Sequence, residues 1–218
     1  MESPFMDLYG KETVKKNFSY SEFLKILLAS GVPFVKQEIP NHQILLIENE
    51  PNKDVYFVED GVILLNSNRN VVRIVGSKQI IGLNGDALVD ESFYTATAIS
   101  KVTAYIFSKK EVLQTLMSMQ EGWLYIYLNN QENEKIMNRR YVLMRQNGEE
   151  RLRDALNELA ENYGISKGDY IYIPKIFTRK IIASYTNLSV KSLARIMKVL
   201  IEEGFLVYDS KQLLLSNE

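Results

Sequence analysis

The chain has 218 residues, 46% apolar and 24% charged, with a net charge of -1, no cysteine and one histidine, His42. That composition removes disulfides, thiol chemistry, thiolate zinc sites and cysteine-held iron–sulfur clusters, and it leaves no histidine cluster for metal catalysis. No apolar run approaches the roughly 18–20 residues that cross a bilayer, and the opening residues lack the charged-then-apolar order of a signal peptide, so a cytoplasmic protein without membrane contact is expected.

Taken in chain order, "YSEFLKILLAS" (20–30) predicts a short helix with Ser21 as its cap. From Val32 to Lys109 short apolar or alternating runs are broken by Pro40-Asn41, Pro51-Asn52, Asp60-Gly61, Asn68, Gly76 and Gly85, which predicts an all-β barrel or sandwich. Asp60-Gly61, between two apolar runs, reads as a hairpin turn, and His42 falls in an exposed turn. Asp86, Asp90 and Glu91 read as a solvated loop rather than a carboxylate site, since no histidine or nucleophile accompanies them.

From Lys109 to Met144 the glycine-punctuated strand pattern gives way to one helix of over thirty residues. Trp123, Tyr127, Asn130, Glu134, Met137, Tyr141 and Met144 are spaced alternately four and three apart, a heptad seam that predicts a dimer helix with a polar middle. The polar run Asn129–Glu134 is either a solvated stretch or a weak point in that seam. Trp123 and Tyr127 read first as packing residues and second as pocket walls. Beyond Gly148 come a short amphipathic helix (149–162), a strand-like "YIYIP", two short helices and "GFLVYDSKQLLLS", two apolar runs about a turn.

The two short helices carry the functional signal. From Tyr170 to Ile201 there is no Asp or Glu, while Lys175, Arg179, Lys180, Lys191, Arg195 and Lys198 are all present. Ile182, Leu188, Leu193 and Ile196 stand where two crossed helices must meet, Ala183 is small at their close approach, and Asn187 suits a left-handed turn residue. Ser189 is placed to cap the second helix; Thr186 stands where an apolar residue is expected. Lys191, Ser192, Arg195 and Lys198 share the outward face, a set suited to base edges in a major groove. Thr178, Arg179 and Lys180 at the first helix's start suit phosphates, and a hairpin with Lys211 at its tip would form a wing.

The stretch "TRKIIASYTNLSVKSLARIMKVLIEEGFL" (178–206) resembles the helix-turn-helix of the Crp/Fnr superfamily of bacterial transcription regulators. "DVYFVEDGVILL" around Gly61 is similar to that family's strand–glycine–strand signature, and "IIGLNG" to the start of its effector cassette. The resemblance implies a mixed α+β fold in three parts: an N-terminal jelly-roll β-barrel sensory domain (1–109), a dimerisation helix (110–147) and a C-terminal winged helix-turn-helix (148–218). It implies a non-enzymatic homodimer on double-stranded DNA with a pseudo-palindromic operator, RNA polymerase as a candidate partner, and an effector pocket near Gly82, Leu83, Asn84, Gly85, Ser92, Phe93, Trp123 and Tyr127.

Departures from the family pattern narrow these expectations. Lys191 and Ala194 stand where the family's recognition helix carries a glutamate and a serine, while its arginine is kept as Arg195. Members that bind cyclic AMP have a glutamate at the position of Leu83, an arginine–serine pair at Ser92-Phe93, and hydroxyls at Ile136 and Met137. A buried phosphate without arginine would be unpaired, which is costly. The expectation is therefore a regulator with no cofactor or metal and an effector other than cyclic AMP, or none; the alternative is a ligand-sensing module whose winged helix makes protein contacts.

Overall fold

The computed structural model describes residues 10–83, 91–209 and 212–216. The chain divides into two compact units, Met1–Ile63 with Ser77–Lys135, and Leu64–Gly76 with Ile136–Glu218. The described architecture is mixed α+β, with an N-terminal β-sheet domain.

In the first unit, helices α1 (Lys11–Asn17) and α2 (Tyr20–Ala29) precede the strands. The cap of α2 is Ser19, not Ser21: its hydroxyl accepts the Glu22 N–H at 3.3 Å. Ser21 already lies inside the first turn, two residues too late to serve that donor. Strands β1 (Phe34–Ile39), β3 (Asp54–Asp60), β6 (Gln79–Ile81) and β8 (Val102–Ser108) form a sheet in the order β1-β8-β3-β6. β2 (Ile44–Leu46) pairs antiparallel with β7 (Thr95–Ala98).

Register decides which side chains reach the interior. Val55 lies opposite Phe107 on the β3–β8 ladder. Both enter a buried cluster with Phe23, Leu27, Phe57, Leu83, Val112, Leu116 and Tyr125. Phe23 stacks on Tyr125 at 4.5 Å between ring centroids and meets Phe57 edge-on at 5.0 Å, arrangements that add to area burial. The predicted Asp60-Gly61 hairpin is a corner instead, because β3 takes its partners from β6 and β8. Gly61 has φ +100°, and a Cβ there would lie 2.5 Å from the Lys101 carbonyl oxygen. His42 is exposed with φ 69°, as its turn position predicts.

The single long helix expected from Lys109 to Met144 is two helices, α3 (Lys109–Ser118) and α4 (Gly122–Arg145). At Gly122 a Cβ would fall 1.9 Å from the Leu116 carbonyl oxygen, so the start of α4 presses on the end of α3 in a way only glycine permits. All seven seam residues lie on α4. Trp123, Tyr127, Met137 and Tyr141 are exposed on the chain, although apolar.

The second unit contains β4 (Ile63–Ser67) from Leu64 onward and β5 (Asn70–Val75), turned through Asn68 and Arg69, both at positive φ as a tight primed turn requires. Helix α5 (Gly148–Tyr163) starts at Asn147, whose side-chain oxygen accepts from the N–H groups of Glu149 and Glu150, both at 3.0 Å. Its Leu152, Leu156 and Leu159 are buried, as their spacing predicts. Strands β9 (Ile165–Lys167), β10 (Tyr170–Ile173), β11 (Leu206–Asp209) and β12 (Gln212–Ser216) form a sheet ordered β11-β12-β10-β9. Replacing Gly61 by alanine should cost about 1–3 kcal/mol through the strained backbone alone, with the close carbonyl adding to it; thermal denaturation of Gly61→Ala should show the drop.

Candidate nucleic-acid interface

Helices α6 (Arg179–Tyr185) and α7 (Val190–Glu202) form the helix pair read from the sequence. Thr178 caps α6 by accepting the Ile181 N–H at 3.3 Å, and Ser189 caps α7 by accepting the Ser192 N–H at 3.0 Å. Between them Asn187 has φ 50°, and the Leu188 N–H donates to the Ala183 carbonyl at 2.8 Å. Thr186 is fully buried where an apolar residue is expected, and its hydroxyl donates to the Ile182 carbonyl at 2.7 Å. The polar atom thus finishes the helix end while the methyl group fills the core.

Ile182, Ala183, Leu193, Met197 and Leu200 are buried, with Leu188 and Ile196 half-buried beside them. A Cβ on Gly148 would stand 3.1 Å from Ile196 Cδ1 and 3.3 Å from Leu188 Cδ2. The glycine therefore lets α5 begin against the turn.

On the opposite side Lys191, Arg195 and Lys198 are exposed, as are Thr178, Arg179 and Lys180 at the start of α6. Ser192 differs: it is half-buried, and its hydroxyl shares a hydrogen bond of 2.9 Å with the Ser189 hydroxyl, so it belongs to the cap as much as to the face. Just past α7, Glu203 is engaged by Arg153 of α5. The cations precede the one carboxylate of the α7 face, Glu202 in the last turn, which is also exposed, and the cationic first turns can accept phosphates and donate to guanine edges. Lys211, predicted at the wing tip, lies outside the described residues.

Several contacts that orient α6 are not legible in the sequence. The Ser184 hydroxyl accepts the Val71 N–H of β5 at 2.9 Å. The Tyr185 hydroxyl donates to Glu158 at 2.8 Å, while Arg140 donates to the Tyr185 carbonyl at 3.0 Å and stacks on its ring. Burial, with Glu158 beside it, holds the Tyr185 phenol protonated well above the ordinary tyrosine range. Burial also pulls the Arg140 guanidinium down from its usual value. At the wing, the Arg179 guanidinium lies 4.9 Å from the centroid of the Tyr208 ring.

The predicted effector-pocket residues are placed differently from one another. Leu83 is part of the buried cluster, and its carbonyl accepts from Asn129 at 3.0 Å. Gly82 has φ 86°; its N–H donates to the Tyr94 hydroxyl and its carbonyl accepts from Asn52. Ser92 is buried and donates to the Tyr94 carbonyl at 2.7 Å, whereas Phe93 is exposed. Trp123 and Tyr127 pack on each other at 6.0 Å while both stay exposed, so they are not core packing residues within one chain. Asn84, Gly85, Asp86 and Asp90 lie outside the described residues, and Glu91 is exposed. Among the described residues no group of three or more His, Cys, Asp or Glu could hold a metal ion, and no helix is long and apolar enough to cross a membrane.

Ser189→Ala removes the α7 cap and the partner of the Ser192 hydroxyl together. It should cost about 1 kcal/mol of stability, read by chemical denaturation.

The family model described as cyclic nucleotide-binding domain matches residues 36–119. Among solved structures, FixK2 from Bradyrhizobium japonicum is similar with a TM-score of 0.73 at 13% identity, over 86% of this chain and 94% of that one. The global regulator CLP from Xanthomonas campestris, described as c-di-GMP responsive, gives 0.75 at 16%, over 91% and 100%. A transcriptional regulator of the CRP family from Thermus thermophilus gives 0.68 at 16%, over 83% and 92%. Comparison with curated protein sequences finds no match. The chain has the fold that these regulators share.

Proposed function

We propose that the chain is a homodimeric, sequence-specific DNA-binding transcription regulator of the Crp/Fnr type. The observation that carries this reading is the exposed run of Lys191, Arg195 and Lys198, with no carboxylate among them before Glu202 in the last turn, on a helix capped at Ser189 and set by the Asn187 turn. Arg195 donates two bonds to a guanine edge and Lys191 reads beside it. Ser192, tied to Ser189, orients the start of the reading helix. Thr178, Arg179, Lys180 and Lys198 hold phosphates, which fixes register without carrying sequence. The glutamate contact of related recognition helices has no counterpart at Lys191, so the operator differs from theirs.

The exposed seam of α4 supports the dimer. Trp123, Tyr127, Met137 and Tyr141, at seam spacing, are exposed on one chain, and a second copy paired along the same helix removes them from water. A two-fold dimer reads two half-sites about one helical turn apart, at a promoter where RNA polymerase is the natural partner. The reading takes an effector other than cyclic AMP, or none, and what supports it is that Leu83 is committed to the core and that Gly82 and Ser92 bond to Tyr94.

Selection from a random DNA pool should enrich a pseudo-palindrome. Arg195→Ala should then lose about 1–3 kcal/mol of affinity for it with little change on unrelated DNA. If no palindrome is enriched, the winged helix serves protein contacts instead. Tyr141→Glu places a charge in the seam and should shift the dimer to monomer in sedimentation equilibrium, with operator binding weakened in parallel.

A further inference from the structure

We infer that Val190 is a specificity-determining residue of the α7 face and that it reads the C5 methyl group of a thymine in each half-site of the operator. This rests on the DNA-binding reading above and names part of the sequence that the face selects, where cations alone leave the adjoining bases unspecified.

Val190 is the first residue of α7 and is 51% exposed. The local duties at a helix start belong to its neighbours. The cap is Ser189, whose hydroxyl accepts the Ser192 N–H at 3.0 Å. The apolar pair that staples a helix entrance falls by position to Leu188 and Leu193, half-buried and buried respectively. An exposed first turn in water favours Asp or Glu, which complement the helix dipole, and a β-branched side chain is among the weaker helix formers. The first turn of α7 holds no acidic residue. An exposed valine there adds nothing to the helix itself, so its surroundings decide its use.

Single exposed aliphatic residues are ordinary on protein surfaces, but this one is set among cations. Lys191 follows it directly, and the half-buried Ala194 stands one turn further on the same flank, next to Arg195. Val190 and Ala194 thus form an apolar strip along the side of Lys191 and Arg195. Val199 and Ile201 are less exposed, at 36% and 41%, and lie in the second half of α7, whereas base edges meet the N-terminal part of a helix in the major groove. The apolar group that marks a base pair in that groove is the thymine methyl. The Val190 side chain has no donor or acceptor, so that methyl is the feature it can select. The flanking cations seat it against a polyanion rather than an apolar protein surface. From Val190 to Arg195 the helix rises about 7.5 Å at 1.5 Å per residue, and bases stack about 3.4 Å apart. The thymine therefore lies within about three base pairs of the guanine that Arg195 reads.

The test pairs one methyl group of the DNA with one side chain of the protein. The full chain is titrated with the operator selected from the random pool, and with versions in which each half-site thymine is replaced in turn by deoxyuridine, which lacks only the C5 methyl. At one position the parent should bind about 3- to 5-fold more weakly when one half-site is substituted and about 10- to 20-fold when both are, the scale of one buried methyl per half-site. Val190→Ala should bind the thymine operator more weakly by a similar factor and no longer distinguish thymine from deoxyuridine there, while Val190→Ile should still distinguish them. A valine that served only the helix start would lower affinity for both DNAs equally. The contact is overturned if no position depends on its methyl, or if Val190→Ala keeps the parent's methyl dependence; Arg195→Ala still losing the operator would then leave the regulator reading standing. Failure of the parent to bind any duplex would overturn that reading itself.

Discussion

One backbone conformation governs the direction of α7. Asn187 holds φ 50° between α6 and α7, a conformation that costs an L-residue about 1–2 kcal/mol and that Asn tolerates better than most. The neighbours offset that cost locally: Ala183 takes the Leu188 N–H, Thr186 closes the carbonyl end of α6, and Ser189 opens α7 with a cap. With the turn set, Leu193, Met197 and Leu200 go inward and Lys191, Arg195 and Lys198 have no choice but to face out. The charge pattern of the face is a consequence of the turn as much as of the helix's own sequence.

The parts of the fold that are legible in the sequence are those whose signals are local. Caps, the turn residue, the buried face of α5 and the existence of most strands each depend on a few consecutive residues. Partners do not. Asp60-Gly61 carries a hairpin signature, yet whether it closes a hairpin depends on which strands lie beside β3. Gly122 sits in a stretch with helical composition throughout, and the break before α4 arises from the Leu116 carbonyl packed against it. β9 escapes a sequence reading because its three residues are all exposed and carry no alternation. Ser21 reads as a cap in place of Ser19 because both are serines near a helix start, and only the position of the Glu22 N–H separates them. In the candidate interface, the basic face of α7 is visible, but the Tyr208 ring under Arg179 joins residues from different elements.

In the N-terminal domain, part of the stretch that resembles an effector cassette is built into the core. Leu83 belongs to the same cluster as Phe23, Phe57 and Phe107, and a residue buried there cannot also offer an oxygen to a ribose. Polar groups described nearby are bonded within the domain: Asn52 and Tyr94 to Gly82, and Ser92 to the Tyr94 carbonyl.

The hydrogen bond from Val71 to Ser184 spans 113 residues of sequence. Helical modules of this size ordinarily owe their speed of folding to short-range contacts. This one cannot complete itself from its own consecutive residues, because the segment that meets α6 is translated well before it, within the run of barrel strands. Gly76, where a side chain would meet the Tyr163 ring at 2.9 Å, belongs to the same early segment. The C-terminal unit is thus assembled from two distant stretches of chain, and the order in which they are made puts the hairpin in place before the helices that it will hold.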